Sequence, residues 1–358
     1  MKRKSITMLL ILAMVLAMFT GCAPKKETFE IGLVTDVGTI DDKSFNQGAW
    51  EGVVQYANES KKTFKYYQPA SDAKDDLLAS IGLAIEGGAK IVVCPGFNFE
   101  VAIYEAQTKY PKVNFILLDG APHTADYKTY KTESNVKCIS YAEQQAGFLA
   151  GYAVVKDGMT KLGFMGGMSV PAVIRFGYGY IQGADYAAKE MKLAAGAIAI
   201  NYNYTGKFEA TPEAQTMAAG WFTNGTQVIF GCGGALGDSV MAAAATAKAK
   251  AIGVDVDQSS ESPTVITSAM KNLTKSVYDS LKEYYAGKFA GGATLTVDVK
   301  SQGVGLPMAT SKFTTFKQAD YDAIYAKLVA GDIKILTDTD IDSAAKLTTA
   351  NVVVNVIE

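Results

Sequence analysis

Short runs of consecutive apolar residues, each followed by a stretch with helical periodicity, recur along this chain, and that alternation limits its fold more than any other feature. The first run is Ile31-Gly32-Leu33-Val34, bracketed by Glu30 and by Thr35-Asp36. Further strands are expected at 64–68, 91–94, 115–118, 136–141, 162–165, 199–204, 228–232, 252–257 and 294–299. Between them, Phe45, Ala49, Val53 and Ala57 recur at helical spacing, as do Leu77, Leu78, Ile81, Ala84 and Ile85. Other helices are expected near 101–110, 144–155, 172–191, 212–222, 239–248, 275–285 and 319–328. Ser44 with Gln47 three residues later reads as a capping box for the first of them. Unbroken apolar strands are buried on both faces, so repeated βα units imply mainly parallel sheets covered by helices. One open sheet rarely exceeds about 10 strands, so the expected class is α/β with two doubly wound parallel-sheet lobes. A closed (β/α)8 barrel is the rival arrangement. No low-complexity linker divides the chain, which points to more than one crossing between lobes.

The N-terminus carries an address. Lys2-Arg3-Lys4 precedes an apolar stretch at 8–19, well short of the roughly 20 residues that span a bilayer. This is the pattern of a signal peptide over residues 1–21. Phe19-Thr20-Gly21-Cys22 resembles a bacterial lipobox, in which Cys22 becomes the lipidated N-terminus, and 22–27 reads as a tether. A non-lipidated signal with a chance cysteine is the plainer alternative. Removing 1–21 takes away three positive charges and no acidic ones, changing the net charge from −2 to −5. Such a balance gives no electrostatic case for nucleic acid. Outside the cell the chain does not freely meet ATP or NADH, so capture, adhesion and envelope enzymology remain. His123 is the single histidine, which disfavours zinc hydrolases and His-based triads. Cys22, Cys94, Cys138 and Cys232 have no CxxC spacing. Neither a metal nor a cofactor is expected.

Ligands of open α/β sheets bind beyond the carboxyl ends of the strands. Asp36, Asp119 and Asp255 stand at or near such ends. Phe45 and Asn46 open the first helix, Phe208 follows the strand ending at Tyr204, and Lys271 follows the apolar segment 265–270. Singly, each has a plainer role: turn-capping aspartate, core phenylalanine, solvated lysine. Together they suit a polar ligand with a flat ring. Gly231-Cys232-Gly233-Gly234-Ala235-Leu236-Gly237 is near a dinucleotide fingerprint, but its last glycine falls one position late; Gly233 still permits close backbone approach to a ligand. Gly206-Lys207 is followed by Phe208, which is no P-loop. Asp41-Asp42 reads as a loop leading into a helix. No nucleophile is seen with a plausible base.

At these residues the chain resembles the basic membrane protein family of bacterial lipoproteins, whose purine nucleoside receptors are binding subunits of ABC importers. The resemblance is carried by Val34-Thr35-Asp36-Val37-Gly38, Asp41 through Gln47, Trp50-Glu51-Gly52, Glu143 through Gly151, Gly163 through Gly167, Arg175 through Gly179, Ile252 through Gln258 and Thr267 through Asn272. It implies a type I periplasmic-binding-protein fold, two lobes joined by crossover strands, with lobes at 28–141 plus 262–300 and at 142–261 plus 301–358. It also implies that Phe45 and Phe208 sandwich a purine, that Asp36 and Asn46 bond the base, that Asp119, Asp255 and Lys271 hold the ribose, and that Gly233 approaches the sugar. The implied protein is a monomeric, lipid-anchored, non-catalytic purine nucleoside receptor on the outer face of the cell membrane, partnered by ABC permease subunits. A binding protein for another small polar ligand such as a sugar, an envelope nucleoside hydrolase, and an adhesin or sensor are the alternatives.

The anchor is testable directly. Cys22→Ala is expected to release the protein from the membrane fraction or to block its processing. Unchanged membrane retention with unchanged mass would remove the lipoprotein assignment.

Overall fold

The computed structural model describes residues 28–357. The signal peptide at 1–21, Cys22 and the tether at 22–27 lie outside the described residues. From the N-terminal side the elements run β1 (Ile31–Val34), α1 (Phe45–Ser60), β2 (Phe64–Tyr67), α2 (Lys74–Glu86), β3 (Ile91–Pro95), α3 (Glu100–Lys109), β4 (Asn114–Leu118) and β5 (Val136–Tyr141). The chain then crosses into α4 (Glu143–Lys156), β6 (Lys161–Gly166), α5 (Pro171–Glu190), β7 (Ile198–Tyr204), α6 (Pro212–Thr223), β8 (Val228–Cys232), α7 (Leu236–Ala247), β9 (Lys250–Asp255) and β10 (Val265–Lys271). It returns through α8 (Leu273–Tyr285) and β11 (Ala293–Val297), and ends with β12 (Val304–Gly305), α9 (Gln318–Ala330) and β13 (Val352–Val356).

These elements form two open sheets. The six-stranded sheet has the order β11-β5-β4-β3-β1-β2, and the seven-stranded sheet the order β12-β10-β9-β8-β6-β7-β13. All pairings in the first are parallel. In the second only β10 with β12 is antiparallel. Two open sheets replace the barrel alternative. Each sheet with its helices is called a lobe below. Both are buried on two faces, as the apolar strand sequences require: β3 and β8 are buried along their whole length.

Two expectations need correction. Residues 262–271 were expected in the first lobe, yet β10 is paired to β9 in the second sheet, and the return begins only at α8, which packs on α1. The capping box is also absent. Ser44 makes no side-chain cap bond; its hydroxyl donates instead to Asp255 Oδ2 at 2.6 Å. Asp42 serves the helix start, its two oxygens accepting from the backbone N–H groups of Ser44, Asn46 and Gln47. That fits its reading as a loop leading into a helix.

Helices α4 and α5 meet along four glycines. A methyl added at Gly147 or Gly151 would overlap the carbonyl oxygens of Phe176 or Tyr180, and one at Gly179 or Gly183 those of Gln144 or Phe148. The two backbones touch, and neither can yield as a flexible side chain would. Gly151→Ala is therefore expected to destabilise the protein by at least about 1–3 kcal/mol, the usual cost of overpacking. The exposed Gly220 on α6 has nothing within 4 Å, so Gly220→Ala should be neutral or gain up to about 1 kcal/mol of helix propensity. Urea unfolding of both variants checks the contrast; equal effects would contradict backbone contact.

Candidate functional site

The carboxyl ends of the strands from both sheets converge on Lys271, the last residue of β10. Lys271 is 3% exposed. It donates to Asp119, which follows β4, and lies 3.2 Å from Glu143 Oε1 at the start of α4 and 4.0 Å from Asp255 Oδ1 at the end of β9. Rings close the remaining sides: the ammonium sits 4.9 Å from the Phe45 ring centre, 5.3 Å from that of Phe176 and 5.4 Å from that of Tyr141. Such faces attract a cation. Asp119 and Asp255 both adopt left-handed backbone, with φ of 56° and 66°. For a residue other than glycine this costs roughly 1–2 kcal/mol, and aspartate tolerates it better than most.

The charges do not balance. Asp119, Glu143 and Asp255 surround one ammonium, Glu143 and Asp255 buried and Asp119 nearly so. Burial disfavours the Lys271 cation, yet Asp119, Glu143 and Asp255 outweigh it and hold its pKa above the ordinary lysine value. Burial pushes the carboxyls of Asp255 and Glu143 up, against the pull of Lys271. Arg175 approaches Glu143 only to 3.8 Å, because its guanidinium is engaged two-pronged by Asp338, at 2.6 and 3.3 Å.

Three buried acceptors around this centre have no hydrogen-bond partner: Asp119 Oδ1, Glu143 Oε2 and Asn46 Oδ1. An unmet buried acceptor costs about 1–3 kcal/mol. A molecule presenting hydroxyl or N–H donors would remove that cost. Asn46 donates its amide to Asp36 Oδ1 at 2.8 Å, and burial raises the Asp36 carboxyl.

Phe208 lies in the second lobe, between β7 and α6. Its ring packs on glycines: a methyl at Gly233 would come within 2.6 Å of it, and one at Gly167 would overlap it. Gly233 also has φ of 139°, which only glycine holds easily. The charge of Glu209, next to Phe208, reaches Asp36 across the lobes. The structure thus gathers Phe45, Asp119, Asp255 and Lys271 into one cluster, pairs Asp36 with Asn46, and pairs Phe208 with Gly233. Sequence reasoning missed Ser44, Tyr141, Glu143, Arg175 and Phe176 as parts of this centre. Glu143, Arg175 and Phe176 lay in the motif segments that begin at Glu143 and Arg175, and Ser44 in the segment Asp41 through Gln47; Tyr141 lay in none of them. Between the lobes a cavity of about 290 Å³ is bordered by Lys43, Gln47, Asp257, Glu261, Lys271 and Asn272.

Two parallel-sheet lobes thus meet at a buried polar centre between their strand ends. The fold matches a crystal structure of an ABC transporter solute-binding protein from Aeropyrum pernix K1, with a TM-score of 0.75, 23% identity, and coverage of 87% of this chain and 94% of that one. Residues 29–339 match the model of the Bmp family, described as ABC transporter substrate-binding protein PnrA-like, and the chain belongs to that family. Relatives include the ABC transporter nucleoside-binding protein BmpA of Lactococcus lactis subsp. cremoris, 29% identical over 87% of this chain and 94% of that protein. Basic membrane protein D of Borreliella burgdorferi is 27% identical over 90% of each chain. The protein is accordingly a substrate-binding component of an ABC transporter, not an enzyme, and works by binding a ligand and pairing with permease subunits. Among the described residues no helix is long and apolar enough to cross a membrane.

The buried carboxyls give stability a definite pH dependence. Burial pushes Asp42 up to about 6 from an ordinary 3.8. The folded protein keeps that proton to higher pH than the unfolded chain, so this contribution to stability falls as pH rises from about 4 to about 6. Asp42→Asn lacks the slope. The stability gap between the ligand-free wild type and this variant is expected to be larger at pH 4 than at pH 7, by about 1–2 kcal/mol. Urea titrations at both pH values check it, and a gap independent of pH would refute it.

Proposed function

We propose that this protein binds purine nucleosides between its two lobes and delivers them to an ABC permease from a lipid anchor on Cys22. The observation that carries the reading is the cluster at Lys271: two strand-end aspartates flank one ammonium, an Asp119 oxygen is left unpartnered, and the Phe45 ring stands beside them. Vicinal sugar hydroxyls supply donors to carboxylates, and bonds of this charged type contribute about 1.5–3 kcal/mol each. A planar base suits an aromatic face, with stacking of about 1–3 kcal/mol per base. In this reading Phe45 and Phe208 hold the base from opposite lobes, Asp36 and Asn46 bond its edge, Gly233 lets the second lobe approach, and Asp119, Asp255 and Lys271 hold the ribose. Three buried carboxylates repel a phosphate, which favours nucleosides over nucleotides. The nucleoside-binding name of the Lactococcus relative supports the same class.

Calorimetric titration of inosine, guanosine, adenosine, their 2′- and 3′-deoxy forms and free ribose tests this reading. Ribonucleosides should bind best, and Phe45→Ala should weaken all of them by about 1–3 kcal/mol. Tight binding of ribose with none of the nucleosides would move the protein to the sugar alternative. Equal affinity for ribo and deoxy forms would remove the ribose assignment.

A further inference from the structure

We propose that Glu143 is a ligand-contacting residue that selects for one particular sugar hydroxyl, a role additional to the strand-end aspartates and resting on the nucleoside reading above. Glu143 is 1% exposed. Its Oε1 faces the Lys271 ammonium at 3.2 Å, while its Oε2 is buried with no hydrogen-bond partner. Arg175 does not satisfy that oxygen: its Nη1 comes no nearer than 3.8 Å, beyond hydrogen-bond reach, while its Nε and Nη2 donate to Asp338.

If Glu143 were only a counter-ion for Lys271, that task would already be over-supplied. The ammonium donates directly to Asp119, and Asp255 stands 4.0 Å away. A third carboxylate adds an ion pair through Oε1, with Arg175 as a more distant partner, but it also adds desolvation and repulsion and leaves Oε2 without a hydrogen bond. The pattern makes sense when its free oxygen has a partner that arrives with the ligand. Asp119 has the same form: one oxygen on Lys271, the other unpartnered. Lys271 therefore holds two carboxylates side by side, each with one acceptor to spare. That pair suits neighbouring hydroxyls. It equally disfavours an anionic substituent at the same place, so a phosphoryl or carboxyl group there meets two charges rather than one. The rigid α4–α5 contact fixes the geometry, because Glu143 precedes Gly147 by one helical turn and Gly147 lies against the Phe176 carbonyl.

A site built to bond a hydroxyl rejects the analogue lacking it, because the buried acceptor is then unpaired. The test is titration of full-length protein, wild type and Glu143→Gln, with inosine and its 2′-, 3′- and 5′-deoxy forms. Wild type should lose roughly ten- to a hundredfold in affinity at the hydroxyl that Glu143 accepts. In Glu143→Gln that loss should shrink to within about threefold at one position only, with discrimination at the other positions kept. Phe45→Ala should instead weaken all four ligands alike. Discrimination unchanged at every position in Glu143→Gln would overturn the proposal and leave Glu143 as a counter-ion. Should Glu143→Gln fold poorly in thermal melts, Glu143→Asp, which shortens the reach but keeps the charge, must show the same single-position change. If wild type binds no nucleoside, the nucleoside reading fails by itself. The same two proteins are then titrated with ribose and its 2-, 3- and 5-deoxy forms, where loss of one hydroxyl's discrimination still supports Glu143 and its absence overturns it.

Discussion

Everything between the lobes is arranged around a single buried ammonium. Lys271 ends a strand of the second sheet, Asp119 ends a strand of the first, and Glu143 begins the helix that joins them. A lone buried ammonium is costly, and so is a lone buried carboxylate; each is tolerable only in the presence of the other. Removing the lysine would leave three carboxylates uncompensated, a change of about 3–5 kcal/mol by comparison with other broken buried pairs. The rings of Phe45, Tyr141 and Phe176 exclude water from the same space and lower its dielectric, which strengthens the attraction. The left-handed turns at Asp119 and Asp255 are a further cost of aiming both carboxylates at one point.

The precision of that centre derives from packing some distance away. Glycines at 147, 151, 179 and 183 let α4 and α5 approach until their backbones touch. The contact fixes the N-terminal ends of both helices, which carry Glu143 on one and Arg175 with Phe176 on the other. Beyond Arg175, Asp338 in the C-terminal segment holds the guanidinium, and Gln182 ties that segment to α5 through Leu336. A charge at the ligand centre is thus braced by residues more than 190 positions apart in sequence, from Glu143 to Asp338. Close packing of this kind has few alternative arrangements, which is what a site needs if hydroxyl positions are to be distinguished.

How much of this could be read beforehand follows from the range of each interaction. β8 was legible to the residue, because burial on both faces leaves an unbroken apolar run, and β5 was legible despite Lys137 and Ser140 within it. β13, with the sequence VVVNV, is an edge strand exposed over much of its length, and its run of three valines is too short to mark a strand buried on both faces. β10 was visible only as an apolar segment, so the return to the first lobe was placed too early. Asp119, Asp255 and Lys271 were legible because topology puts strand ends together wherever they fall in sequence. Ser44 was misread because its hydroxyl is drawn to a carboxylate 211 positions away, and a local capping rule has no access to that. Glu143 was hidden for a related reason. A glutamate in the first turn of a helix is ordinarily a solvated partner of the helix dipole, and nothing within its own helix says that this one is buried.

Closure of the lobes depends on the same distinction between buried and exposed contacts. Lys43 and Glu261 form a 2.7 Å ion pair across the lobes, but the side chains are 48% and 24% exposed, and pairs of that kind contribute about 0–1 kcal/mol. The Ser44 bond to Asp255 and the Gln258 bond to the Lys43 carbonyl are better shielded and hold the lobes in register. Against them stand the oxygens of Asn46, Asp119 and Glu143, buried with no hydrogen-bond partner among the described residues. In the proposed reading, a ligand that donates to them would remove the cost of leaving them unmet. Such a ligand would favour the arrangement of lobes seen here over one in which they are apart, and a ligand that merely stacked on Phe45 would do so less.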